Sequence, residues 1–177
     1  MEGHHGLTPP EPTIAAWAAQ LPTPGDVLDV AAGGGRHAQL FAARGCRVTA
    51  VDRDTTALSE LRDARVEVVT ADLEGAPWPF GQRQWDTVVV TNYLWRPLLP
   101  HLAAALRPGG ALLYETFMVG NERFGRPRNP EFLLRDGELR AFAAEHDLEE
   151  RSFSQGPVGD PPRAVRQRLL ARRRPVT

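Results

Sequence analysis

A run of glycines that follows a short apolar segment is the feature of the sequence with the clearest chemical meaning. The segment 27–32 has the sequence VLDVAA and leads into Gly33-Gly34-Gly35, and residues 36–44 then carry apolar side chains at helical spacing. Glycine lets the backbone approach a ligand closely and adopt positive φ angles, and the amides at the start of a helix can bind polar groups. The order strand, glycine loop and helix therefore predicts a ligand-binding loop.

Two aspartates stand where the next two predicted strands end. Asp52 ends the segment 47–52, and Asp72 ends the segment 66–72 and is followed by Leu73. A carboxylate at the first position can accept hydrogen bonds from both hydroxyls of a ribose, and the second position suits an adenine amino group and ring face. Each acid alone could instead cap a turn or helix. Their joint placement favours a nucleoside site, because open α/β sheets bind ligands beyond the carboxyl ends of their strands.

The elements that must position these residues alternate along the chain. Apolar, β-branched runs separated by amphipathic segments predict an α/β fold: a doubly wound, Rossmann-like sheet that is mostly parallel, with helices on both faces. Only a loop separates the last two strands, so we expect an antiparallel C-terminal strand pair. The predicted strands are 27–32, 47–52, 66–72, 85–91, 111–117, 148–153 and 164–171, and the predicted helices are 12–20, 36–44, 55–63, 97–107 and 135–146.

Length and composition limit the classes of protein that remain. The chain has 177 residues, which predicts a single domain at 13–174, with a flexible arm at 1–12 and a tail at 175–177. A formal net charge of −1 provides no overall field that would recruit nucleic acid. All basic residues are arginine, which excludes Schiff-base chemistry on lysine, and the only cysteine, Cys46, excludes an internal disulfide. No apolar run approaches the length of a membrane span, so we expect a cytoplasmic protein without membrane association.

Taken together, these motifs resemble those of the class I S-adenosylmethionine-dependent methyltransferases. The family's first motif is acidic-x-Gly-x-Gly-x-Gly. Asp29, Gly33 and Gly35 match it, whereas Ala31 replaces the first glycine and is expected to remove positive-φ freedom there. The resemblance implies S-adenosylmethionine as cofactor, with these binding residues: Asp29, Ala31, Gly33, Gly35, Asp52, Arg53, Asp72, Leu73, Asn92 and Tyr93.

The resemblance extends over about residues 25–177. Asn92-Tyr93 matches the motif that lies beside the transferred methyl group, and residues 107–113 match the turn and strand that follow. A looser similarity links the chain to small bacterial tellurite-resistance-type methyltransferases, through the Gly-Arg-His start of the first helix of the domain and the Leu-Ala-Arg-Arg ending.

The resemblance implies a small-molecule methyl acceptor, such as a thiol, a metalloid oxyanion or another small nucleophile. A soft nucleophile needs little help from a base, whereas an alcohol or amide needs a general base within reach. The long loop 118–130 directly follows the fifth strand. We expect its residues 119–130 to form part of the acceptor site, since guanidinium groups suit an oxyanion. The catalytic candidates are therefore His37, Tyr93, Arg126 and Arg128, with His101 and Tyr114 as further possible bases. We expect no metal site, and the oligomeric state is not predicted.

Two other functions compete with this interpretation. Gly33-x-Gly35-x-x-Ala38 followed by Asp52 also satisfies the fingerprint of an NAD(P)-binding Rossmann protein. Alternatively, an arginine-rich C-terminus could bind RNA phosphates, although arginines that alternate with apolar residues are also typical of a solvated strand face. The solvated strand face is favoured over nucleic-acid binding. No Asp/Asn-Pro-Pro-Tyr motif follows the fourth strand, which also argues against a base-flipping nucleic-acid amino-methyltransferase. The arginines concerned are Arg163, Arg166, Arg168, Arg172, Arg173 and Arg174.

Overall fold

The computed structural model describes residues 8–177 and contains a seven-stranded sheet with helices on both faces. The strands are β1 Asp26–Val30, β2 Arg47–Asp52, β3 Val66–Thr70, β4 Trp85–Thr91, β5 Leu106–Phe117, β6 Leu148–Val158 and β7 Ala164–Arg173. The α-helices are α1 Pro12–Ala18, α2 Arg36–Ala43, α3 Thr56–Ser59, α4 Leu99–Ala104 and α5 Glu138–Glu145. Short 3₁₀ helices occupy Arg96–Leu98, Asn121–Arg123 and Pro130–Phe132.

The strand order is β3-β2-β1-β4-β5-β7-β6. The first five strands in this order pair in parallel, and β7 pairs antiparallel with both β5 and β6. The predicted mostly parallel sheet with an antiparallel C-terminal pair is therefore confirmed. The chain changes direction across the sheet between β1 and β4, and ligands of open α/β sheets bind at such a switch point.

Alternating side chains on each strand build two apolar layers. On β1 and β4, Leu28 and Val88 pack into one layer together with α4 and α5, whereas Val27 and Val89 pack into the other with α1, α2 and α3. This period of two is what a strand covered on both faces requires. The central strands are thereby held rigidly, and the loops at their carboxyl ends extend from a fixed base.

Three predicted helices are at least four residues shorter in the structure, and the helix expected at 135–146 is α5 Glu138–Glu145. The helix expected at 55–63 is the four-residue α3, because Arg62 adopts a left-handed backbone with φ of 46°. The helix expected at 97–107 is split into a 3₁₀ turn and α4, and Leu106 already pairs with Trp85 in the sheet. The long loop predicted at 118–130 contains one 3₁₀ turn, at Asn121–Arg123.

The arm predicted at 1–12 lies outside the described residues up to position 7. From position 8 onward it differs from an unpaired arm. The carbonyl oxygen of Pro9 accepts a hydrogen bond from Arg36, and the Glu11 carboxylate forms an ion pair with the same arginine at 3.0 Å. Within residues 8–177, no helix is long and apolar enough to cross a membrane.

Candidate cofactor and acceptor site

The loop between β1 and α2 has the backbone geometry of a binding loop. Gly35 precedes α2 with φ of 87°, and a Cβ there would lie 2.6 Å from a methyl carbon of Leu61. Ala31 is also left-handed, with φ of 53°. The expectation that alanine would remove positive φ at this position is therefore wrong. Its single methyl group tolerates the conformation, at a cost of roughly 1–2 kcal/mol.

Asp52 is held by the backbone on both sides. Its Oδ2 accepts a hydrogen bond from the Gly33 N–H at 2.9 Å, and its Oδ1 accepts one from the Asp54 N–H at 3.0 Å. Each carboxylate oxygen retains acceptor capacity, since an ionised carboxylate has about four lone-pair positions. The carboxylate is therefore fixed beside the glycine loop and able to bind two further donors.

A cavity of about 390 Å³, here called the Asp52 cavity, opens beside this carboxylate at the ends of β1, β2, β3 and β4. Most of the residues expected to bind the cofactor from the ends of β2, β3 and β4 line it. Its walls are formed by Ala31, Asp52, Arg53, Ala71, Asp72, Leu73, Glu74, Asn92, Tyr93 and Phe132.

Asp72 also has a local structural role. Its Oδ1 accepts a hydrogen bond from the Glu74 N–H at 3.0 Å, and these turn hydrogen bonds lower the pKa of the Asp72 carboxyl. The side chain thus closes the turn after β3 while it lines the Asp52 cavity. The turn-capping alternative and the ligand-binding prediction are compatible in this geometry.

A second cavity of about 440 Å³, the glycine-loop cavity, lies on the other side of Ala31 and Asn92. It is lined by Thr8, Ala31, Ala32, Gly33, Gly34, Arg36, His37, Thr91 and Asn92. Gly33 and Gly34 thus line this second cavity, whereas Gly35 shapes the loop without lining either cavity.

A third cavity of about 220 Å³, the Phe117 cavity, adjoins the Asp52 cavity and shares part of its wall. The loop after β5 contributes Pro127, so part of the loop expected to carry the acceptor site does reach a cavity. Arg126 and Arg128 are exposed and line none of the three cavities. The lining residues are Glu74, Asn92, Tyr93, Leu94, Thr116, Phe117, Pro127 and Phe132.

Asp29 is buried away from all three cavities. It is 1% exposed, and neither carboxylate oxygen has a hydrogen-bond partner within 3.5 Å among the described residues. Burial raises the pKa of Asp29 to about 7, although the nearby Ala38 N–H and the Arg36 charge act in the opposite direction. Its effect on a ligand would be transmitted through β1 and the glycine loop.

His37 is fully engaged in the fold. Its Nε2 accepts a hydrogen bond from the Glu11 N–H at 3.1 Å, so in the neutral ring the proton lies on Nδ1, 3.3 Å from Thr91 Oγ1. Burial lowers the pKa of His37 to about 4, and the Arg36 charge acts in the same direction. The histidine thus fastens the segment before α1 to the start of α2.

The other proposed bases are not available as free bases. The Tyr114 hydroxyl donates to the Tyr93 carbonyl at 2.8 Å, and burial raises the pKa of both tyrosines, so their hydroxyls remain protonated at neutral pH. His101 is exposed on α4 and stacks on Trp78.

Glu74, which sequence analysis missed, lines both the Asp52 and Phe117 cavities. Its position two residues after Asp72 is the sequence feature that could have indicated a place at the site.

The residues expected from the sequence to bind S-adenosylmethionine would place its two parts in the two larger of these three cavities. They meet at Ala31 and Asn92, and a carboxylate with free acceptor capacity faces the Asp52 side. The adenosine would lie against Asp52, Asp72 and Leu73, and the methionine part against the glycine loop. The sulfonium centre would then lie near Asn92, beside the Phe117 cavity.

Comparisons with known proteins agree with the fold. Residues 27–110 match the family model described as a methyltransferase domain. No curated protein gave a significant sequence match. Among solved structures, a S-adenosylmethionine-dependent methyltransferase from Methanosarcina mazei superposes with a TM-score of 0.73 at 15% identity, covering 96% of this chain and 100% of that one.

Two further solved structures are also similar to the chain. TehB from Haemophilus influenzae has a TM-score of 0.70 at 20% identity, covering 90% of this chain, and this chain spans only 61% of its length. The 1,6-didemethyltoxoflavin-N1-methyltransferase of Burkholderia thailandensis has a TM-score of 0.69 at 22% identity, covering 92% of this chain and 77% of that one. Residues 27–110 therefore match a methyltransferase domain, and the sheet has the fold of the S-adenosylmethionine-dependent methyltransferases among these neighbours.

Proposed function

We propose that the chain methylates a small, uncharged or cationic molecule that binds in the Phe117 cavity. The observation that carries the proposal is the wall that this cavity shares with the Asp52 cavity, formed by Glu74, Asn92, Tyr93 and Phe132. An acceptor bound there would lie next to the sulfonium centre of the cofactor. The Phe117 cavity has a volume of about 220 Å³, which lies below the usual 300–1,000 Å³ of ligand pockets and favours a small acceptor.

The charge of the cavity supports the acceptor class. Among residues 8–177, Glu74 is the only charged residue that lines the cavity, and the remaining walls are largely aromatic or apolar. A carboxylate attracts a hydrogen-bond donor or a cation and repels an anion. The oxyanion acceptor considered from the sequence is therefore disfavoured, since Arg126 and Arg128 do not line the cavity. An acceptor with an amine, thiol or amide group on a ring fits better.

S-adenosylmethionine supplies a methyl group made electrophilic by its sulfonium sulfur. The contribution of the chain is to position the two reactants, which can supply up to about 7–11 kcal/mol when their geometry is well aligned. Tyr93 and Phe132 would cover both reactants and exclude water. The Tyr93 hydroxyl, 3.4 Å from Glu74 Oε1, would restrict the orientation of the carboxylate.

The neighbouring structure from B. thailandensis supports a small-molecule acceptor, because it contains 1,6-didemethyltoxoflavin together with S-adenosylhomocysteine. RNA is a weaker candidate. The C-terminal arginines of β7 bind within the fold: Arg172 donates to Gly109 at 3.3 Å, Arg173 donates to Leu106, and Arg168 pairs with Glu115.

Matched acceptors that differ only in charge test the proposal. Anthranilamide and anthranilate present the same aromatic amine, and 4-mercaptobenzamide and 4-mercaptobenzoate present the same thiol. With methyl-labelled S-adenosylmethionine, we expect kcat/KM to be at least tenfold higher for each amide than for its carboxylate. Glu74→Gln should reduce that preference, whereas Glu145→Gln, at an exposed position on α5, should retain it. Faster methylation of the carboxylates, or of tellurite, would overturn the proposed acceptor class.

A further inference from the structure

Arg166 differs from the other arginines of the C-terminal segment because it is buried. Its side chain is 6% exposed and lies over the ring of Phe117, with the guanidinium carbon 4.3 Å from the ring centroid. The expectation of a solvated strand face is therefore wrong at this position. A guanidinium that is buried this deeply needs several partners to offset the loss of hydration.

The partners of Arg166 are the buried Glu115 on β5 and Asn92, an exposed residue that directly follows β4. Its Nε donates to Glu115 Oε1 at 3.0 Å, and its Nη1 donates to Asn92 Oδ1 at 2.8 Å, with Nη2 directed to the same oxygen. Glu115 is 0% exposed and also receives Arg168, so it anchors both arginines. The geometry holds Arg166 in one orientation, since a guanidinium fork is rigid and planar.

Asn92 is the residue at which the three cavities meet. It lines the Asp52, glycine-loop and Phe117 cavities, and its backbone is left-handed with φ of 54°. Arg166 has only donors, so Asn92 must present its oxygen to it. The Asn92 amide nitrogen is then the group left to donate toward a ligand.

Arg166 is also connected, through Glu11, to the start of α2, the helix that follows the glycine loop. Nη2 of Arg166 lies 3.5 Å from Glu11 Oε1, and the same oxygen pairs with Arg36 at 3.0 Å, at the start of α2. The Glu11 backbone N–H in turn binds His37. Arg166 thus connects the end of β4, where Asn92 lies, with the segment that contacts the glycine-loop cavity.

We propose that Arg166 is a positioning residue for the cofactor, because it fixes Asn92 at the meeting point of the three cavities. This inference rests on the placement of the cofactor in the Asp52 and glycine-loop cavities, and it does not depend on the identity of the acceptor. In effect, the antiparallel C-terminal strand β7 completes a site that is otherwise built on parallel strands.

A double-mutant cycle on S-adenosylhomocysteine binding tests the inference without an acceptor. Arg166→Met and Asn92→Ala should each raise the calorimetric Kd at least fivefold, and the double variant should be no weaker than the weaker single variant. Arg166→Lys retains a charged donor and should recover part of the affinity. Arg168→Met is the matched control, since Arg168 shares Glu115 without contacting Asn92; its Kd should stay within twofold of wild type.

Thermal unfolding separates positioning from a purely structural role. A lowered Tm of Arg166→Met with wild-type Kd would overturn the inference, as would effects of Arg166→Met and Asn92→Ala that multiply in the double variant. Should Arg166→Met fail to fold, the cycle is run with Arg166→Lys, and the same two criteria apply. Because the measured ligand is the cofactor product, failure here leaves the proposed acceptor class intact.

Discussion

Replacing Asp29 by asparagine is expected to change how the stability of the protein depends on pH. Burial raises the pKa of this carboxyl from 3.8 to about 7 in the folded protein. Between these values the folded protein retains a proton that the unfolded chain has lost. The contribution of Asp29 to stability is therefore complete below pH 3.8 and is lost as the pH rises through about 7.

The size of the effect follows from the shift in pKa. A difference of about three units, at about 1.4 kcal/mol per unit, corresponds to about 4 kcal/mol of unfolding free energy. Asparagine has nearly the same shape and no titration, so any constant cost of its amide group is the same at every pH. The Asp29→Asn variant should thus gain up to about 4 kcal/mol relative to wild type between about pH 4 and pH 8.

His37 shifts in the opposite direction and hides part of this dependence in the wild type. Its pKa is lowered from 6.5 to about 4, so its contribution is lost as the pH falls through this range. The two contributions oppose each other between about pH 4 and 6.5. In Asp29→Asn the His37 contribution remains alone, and stability should fall more steeply on acidification than in wild type.

Urea unfolding at intervals of one pH unit, followed by circular dichroism, measures the difference between variant and wild type directly. Asp147→Asn, at a carboxylate that is 85% exposed, controls for the substitution itself. A difference between Asp29→Asn and wild type that stays constant within about 1 kcal/mol from pH 4 to 8 would refute the reasoning, since it would mean that Asp29 is not protonated in the folded protein.

Three further outcomes are expected. Asp52→Ala should weaken S-adenosylhomocysteine binding by about 1.5–3 kcal/mol in calorimetry, because it removes a charged acceptor from the Asp52 cavity, and an unchanged Kd would contradict its role. Ala31→Gly should raise the free energy of unfolding in urea by about 1 kcal/mol, since it relieves a left-handed alanine; a loss of stability would show that no strain is present. The double variant Arg126→Ala, Arg128→Ala should keep the acceptor KM within twofold, whereas a tenfold rise would restore the oxyanion interpretation.

Local sequence patterns were sufficient to predict the sheet, and they also led to the candidate site described above. The bounds of β2 and β4 were predicted to the residue, because their central segments, VTAV and TVVVT, are rich in β-branched residues and typical of strands buried on both faces. The glycine loop, Asp52 and Asp72 could each be found from a short stretch of sequence, because each directly follows or ends a predicted strand. Helix lengths were less predictable, since Leu106 joins the sheet through tertiary pairing and ends the helical pattern early.

Tertiary structure alone decided which charged and polar groups the site uses. Arg166 binds Asn92, which is 74 residues away in the chain, and no local pattern distinguishes it from the neighbouring arginines of β7. Two other features could likewise not be predicted from local sequence: the ion pair of Glu11 with Arg36 at the start of α2, and the burial of Asp29. Burial and the identity of a partner depend on where β7 and the segment before α1 pack, and packing brings together residues that are distant in sequence. The sequence therefore predicted the fold and a place for the cofactor, and the three-dimensional packing determined how that place is shaped and charged.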